Sequence, residues 1–231
     1  MRAPHRWHAA GNGLAWDDSG ATQHATMPQL LTLTSLPLFP LGTLLFPGGT
    51  LTLRVFVVRK GGQAGAPFGV VGLPAGHEVP RPAAPEEQFP DAGTLATIEQ
   101  MHTPQPGLIT LVCRGAERFR ITRKSHLKHG LWVADVEQLP GDPLVPIPAD
   151  LQRLADMLAQ VLGNLSQRHP DAPPQAQPAA QQLQDCGWVA NRWCELLPVP
   201  LALKQRLMML DNPLVRLELV GDVLERTGIA L

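Results

Sequence analysis

Six basic side chains crowd into fifteen positions of this 231-residue chain: Arg114, Arg118, Arg120, Arg123, Lys124 and Lys128, against the single acid Glu117. A stripe of this kind can follow a phosphate backbone, which makes Arg118, Arg120, Arg123 and Lys124 the candidate RNA contacts. An aromatic platform for bases is missing, because only Phe119 interleaves the charges and strand alternation turns it inward. A solvated strand face is the simpler reading, and it disfavours nucleic acid. No catalytic residue emerges elsewhere. Ser125 beside Lys124 lies in no G-x-S-x-G elbow and reads as an exposed turn. No lysine directly follows a glycine as a phosphate-cradling loop would need. His126 and His129 lack a third ligand nearby and also read as a solvated turn, so neither a metal nor a cofactor is expected. Cys186 and Cys194 bracket Trp188 and Trp193, apolar neighbours that raise a thiol's pKa rather than activate it.

Composition narrows the class. Hydrophobic residues are 44% and charged residues 17%, which is globular, and a formal net charge of −1 gives no overall field for nucleic acid or an anionic membrane. Three cysteines without a C-x-x-C pair suit reduced thiols in a cytoplasmic protein. Residues 1–26 contain no apolar stretch long enough for a signal core or a membrane span. With Gln29 as its limit, this segment reads as a disordered tail or a mis-assigned start.

The elements that must position any site change character along the chain. From Leu30 to Gly141 short apolar runs are broken by Gly and Pro: Leu30–Leu33, Leu44–Phe46, Leu51–Val58, Phe68–Leu73, Thr94–Ile98, Leu108–Cys113, Arg118–Arg123 and Leu131–Val136. Alternation sends Phe119 and Ile121 to a core and Arg118 and Arg120 to water. Residues 30–141 are therefore a β-barrel or curved sheet, with a proline-rich surface loop between Gly76 and Gly93. After Pro148 the period turns helical, and Leu151, Leu154, Leu158, Val161, Leu162 and Leu165 share one face. A second helix carries Cys186, Val189, Trp193 and Leu196, a third Leu203, Leu207 and Leu210, and Asn212-Pro213 opens a last one with Leu217, Val220 and Leu224. Residues 148–228 thus form a helical bundle, with 169–181 as a flexible connection and 139–148 as a semi-rigid link between the halves. The class is α+β.

The stretch Leu36-Pro-Leu-Phe-Pro-Leu-Gly-Thr-Leu-Leu-Phe-Pro-Gly-Gly-Thr-Leu-Thr-Leu-Arg-Val-Phe resembles the opening of the N-terminal substrate-binding domain of Lon proteases. Phe68-Gly-Val-Val, Gly93-Thr-Leu-Ala-Thr-Ile and Gly115-Ala-Glu-Arg-Phe-Arg-Ile follow in the family's order, then Leu196-Leu-Pro, Lys204-Gln-Arg-Leu, Asp211 and Arg216-Leu. The resemblance covers about residues 30–226 and implies a PUA-like β-domain joined to a small helical bundle, without the ATPase and peptidase that follow in Lon. Where the family continues into an amphipathic helix, Val57-Val-Arg-Lys60 runs into Gly61-Gly-Gln-Ala-Gly, so that helix reads as missing.

The resulting expectation is a non-catalytic protein that binds unfolded or apolar polypeptide segments through Phe46, Phe56, Val58, Phe68 and Phe89. It would act as an adaptor in protein quality control, beside a protease or chaperone. A second copy docking near Phe56 and Phe68 would give a homodimer, and RNA binding by the PUA-like fold is the alternative.

Overall fold

The computed structural model describes residues 31–56, 67–73, 89–105, 107–128, 130–168 and 178–228. The expected disordered tail, the missing-helix segment, most of the proline-rich loop and most of the 169–181 connection lie outside them.

Six strands follow from the alternating runs: β1 (Thr32–Leu41), β2 (Thr50–Phe56), β3 (Phe68–Gly72), β4 (Ala92–Gln105), β5 (Leu108–His126) and β6 (Trp132–Gln138). They form one mixed sheet in the order β2-β5-β4-β3-β1-β6, and β6 returns to pair with β5. Strands β5, β4, β3, β1 and β6 therefore close into a barrel, and β2 stands outside it on β5. Only β1 and β3 run parallel. Closure needs strong curvature, supplied by bulges. One falls between Leu33 and Leu36 in β1, where Ser35 adopts φ 54° and donates its N–H to Asp135 Oδ1 at 3.1 Å.

The runs Leu108–Cys113 and Arg118–Arg123 fuse into one 19-residue strand. Gly115 looks like a break in sequence, but its role is close approach: a Cβ there would collide with the carbonyl of Phe46. Leu44–Phe46 is not a strand. It is an extended connection that sends Leu44 and Phe46 into the helical core and Leu45 into the barrel side.

Four helices complete the α+β fold: α1 (Gln152–Arg168), α2 (Cys186–Leu196), α3 (Leu201–Met208) and α4 (Pro213–Arg226). Caps fix two starts. Asp185 accepts from the Trp188 N–H ahead of α2, and Asn212 accepts from Leu214 and Val215 N–H ahead of α4, with Pro213 in the first turn. The expected stripes meet: Leu154, Leu158, Val189, Trp193, Leu217, Val220 and Leu224 are all buried in one cluster. A second cluster fills the barrel around Phe119, Val71, Leu95 and Trp132. No helix among the described residues is long and apolar enough to cross a membrane.

Candidate functional site

Beyond the barrel, β2, the second half of β4 and the first half of β5 continue as a three-stranded antiparallel ribbon. Residues directly opposed in an antiparallel pair share a face. The register sets Leu51 against Cys113, Leu53 against Leu111 and Val55 against Ile109, and on the other side Ile98 against Cys113 and Met101 against Leu111. One face of the ribbon is thus apolar from end to end. Its root rests on the buried Leu45, Phe68, Val70, Ala96 and Cys113, with Phe39 and Leu41 alongside. Toward the tip the cover thins: Leu53, Val55, Ile109 and Leu111 are half-buried and Met101 is 53% exposed. The opposite face carries Thr50, Thr52, Arg54, Thr110, His102 and Arg114, with Val112 and Leu108 among them. An openly apolar sheet face can take up apolar side chains from outside.

The phenylalanines expected at such a surface sit beneath or away from it, which corrects three of the expected contacts. Phe46 is 0% exposed within the helical core, Phe68 is 6% exposed and packs edge-on to Phe39 at 5.0 Å, and Phe89 is 5% exposed and packs edge-on to Trp132 at 5.3 Å. Each is large enough that the core claims it first. Phe56 ends β2 opposite Leu108, its side chain outside the described set, as is Val58. The residues that sequence reasoning missed are Leu53, Val55, Met101, Ile109 and Leu111. Alternation in β2 was a usable signal, but which face stayed uncovered depends on the whole sheet.

The basic stripe is largely neutralised. Arg118 does not face water: it is 4% exposed, donates to Met208 O at 2.8 Å and pairs with Asp142 at 3.2 Å. Alternation still holds at Arg118 and Phe119, but the helical half covers the outer face of β5 there. Burial lowers the Arg118 pKa, and Asp142 opposes the shift. Arg123 pairs with Asp135 at 2.7 Å, Lys124 reaches Asp91 at 3.5 Å and lies 4.6 Å over the Phe89 ring, and Arg114 pairs with Glu99. Arg120 is exposed opposite Glu137. Ser125 is in strand β5, not a turn. Ser125 and Lys128 do have S-x-x-K spacing, but that spacing joins two side chains only on a helix. His126 leans on Trp132 with ring centroids 4.7 Å apart, and His129 lies outside the described residues.

A groove marks the junction of the halves, with cavities of about 270 and 340 Å³ sharing Gly48 and Trp188 in their walls. In the first, Arg192 donates to Pro47 O at 2.9 Å and pairs with Glu195 at 3.1 Å. A Cβ at Gly49 would collide with Glu195 Oε1, so glycine is what lets the turn sit on this pair. Burial pushes the Glu195 carboxyl up to about 7, against the pull of Arg192 and the Phe46 N–H. A carboxyl at that value can exchange a proton near neutrality. Burial also pushes the Cys113 and Cys186 thiols up to about 11 and Cys194 to about 12. Among the described residues no three His, Cys, Asp or Glu side chains gather as a metal would need.

Comparison with known proteins places this arrangement. The model of the ATP-dependent protease La (LON) substrate-binding domain matches residues 35–226. The crystal structure of a Lon N-terminal domain protein from Xanthomonas campestris is 30% identical, with a TM-score of 0.59 over 82% of this chain and 98% of that one. The N-terminal domain of the Mycobacterium avium complex Lon protease shares the fold at 17% identity, with a TM-score of 0.52 over 85% of this chain and 100% of that one. No match is found among the curated proteins. On the extent of the family match, the chain belongs to the LON substrate-binding domain family.

Proposed function

We propose that the chain is a non-catalytic polypeptide-binding protein that takes up exposed apolar segments on the open face of the β2-β4-β5 ribbon. The observation that carries the reading is that face itself: Leu53, Val55, Met101, Ile109 and Leu111 form one apolar surface whose tip is uncovered among the described residues. A role in substrate capture is in keeping with the family's name. An adaptor in protein quality control, working beside a protease or chaperone, is the setting that fits such capture. The three buried, free thiols suit a reducing compartment such as the cytoplasm.

The test is fluorescence anisotropy of the full chain against a labelled unfolded polypeptide and a labelled RNA, each at low and high salt. Polypeptide binding that barely responds to salt is expected. Met101→Lys, placing a charge at the tip, is expected to weaken it about tenfold. RNA binding with a log–log salt slope near −4, the signature of about five neutralised phosphates, would instead support the basic face.

A further inference from the structure

We propose that β2 is a docking edge, to which an extended polypeptide segment adds as a further strand, with its apolar side chains on the Leu51, Leu53 and Val55 face and carboxylates beside Arg54. This inference rests on the polypeptide-binding reading and specifies how the segment is held and which segments are preferred.

Three observations converge on β2. First, among the described residues it ends the strand order and pairs only with β5. Among the described residues no backbone hydrogen bond outside that ladder reaches Thr50–Phe56. Every second residue of this seven-residue strand therefore offers its N–H and C=O outward, along roughly 23 Å at about 3.3 Å per residue. Second, the free edge borders the open apolar face, so a strand laid along it extends that face and places alternate side chains against Leu51, Leu53 and Val55. Backbone pairing would supply affinity, and alternate side chains selectivity. Third, the other face of β2 carries one cation. Arg54 is exposed and has no ion pair among the described residues.

Charge also selects the occupant. In a symmetric pairing of β2 with β2 of a second copy, centred on Leu53, all seven residues pair but the two Arg54 side chains come to diagonal positions. Those positions are about 7–8 Å apart, where like charges repel. A foreign strand with apolar residues on one side and acids on the other meets no such repulsion.

The experiment titrates the full chain with four labelled heptapeptides: Val-Glu-Val-Glu-Val-Thr-Val, the same peptide with Lys for Glu, and two versions of the first N-methylated on alternate amides, one along each edge. The Glu peptide is expected to bind about two- to fivefold tighter than the Lys peptide, the scale of one exposed ion pair. Arg54→Glu, a surface change that leaves the core intact, is expected to invert the preference. Methylating the amides of one edge is expected to weaken binding at least about tenfold, and methylating the other edge to leave it unchanged.

Equal affinity of both methylated peptides and the parent, with unfolded polypeptide still bound, would overturn strand addition and leave the proposed function standing. A sedimenting dimer that the Glu peptide fails to dissociate would overturn it too, by showing the edge already filled by a second copy. Failure of every peptide and of the unfolded polypeptide to bind would overturn both readings.

Discussion

Glu195 shows how one buried carboxyl can tie stability to pH. Its folded pKa of about 7 stands above its ordinary value of 4.5 because burial disfavours the charged form. The folded chain therefore binds this proton more tightly than the unfolded chain does. Glu195's contribution is most favourable below pH 4.5, is lost progressively as pH rises toward 7, and is constant beyond. The loss is confined to the window between those two values. Glu195→Gln keeps an acceptor for the Phe46 N–H and removes the titration. Denaturant midpoints between pH 4.5 and 7 should fall with pH in the parent and lose that component in the variant, and identical slopes would refute the assignment. The thiols make a second case. With pKa values near 11 and 12 and no exposed surface, Cys113, Cys186 and Cys194 should not react with a disulfide reagent at about pH 8 in the native chain, and all three should react in denaturant.

At the scale of elements, what was legible in the sequence was local. The helical stripes and the Asn212-Pro213 start follow from spacing and side-chain chemistry within a few residues, and they appear as read. Asn212→Ala should accordingly cost about 1 kcal/mol in chemical unfolding, since it removes the acceptor for two N–H groups of the first turn. What was not legible depended on partners far along the chain. Gly115 reads as punctuation until the Phe46 carbonyl lies over it. Arg118 reads as a surface cation until the carbonyls of Met208 and Leu210 close on it across some ninety residues. The apolar run Leu108–Cys113 was visible, but only the six-stranded order shows that it carries its apolar face out beyond the barrel, and that the phenylalanines offered as contacts are spent on packing.

The whole molecule is drawn together by one carboxylate. Asp142, in the connection between the halves, accepts from Arg118 of the barrel and from both terminal nitrogens of Arg216 on α4. Arg216 also reaches Asn191 on α2 at 3.0 Å and the Leu207 carbonyl at 3.0 Å. The semi-rigid link expected between the halves is thus pinned from both sides. The two cores are also interlocked, because Leu44 and Phe46 leave the sheet to pack among the helices. Two guanidinium groups, 4% and 1% exposed, share this anion, and Arg118 has the exposed Asp211 as a second, longer partner at 3.7 Å. A buried pair is weak evidence for net stability, but removing one partner strands the other charge and costs about 3–5 kcal/mol. Asp142→Ala strands Arg216 and leaves Arg118 to the exposed Asp211. Its expected effect is a loss of at least that size in urea, together with separation of the barrel and helical transitions when Trp132 and Trp193 are followed as probes on either side of the junction. A variant that lost stability but still unfolded in one step would show that the interlocked Leu44 and Phe46, and not the ionic pin, make the halves one cooperative unit.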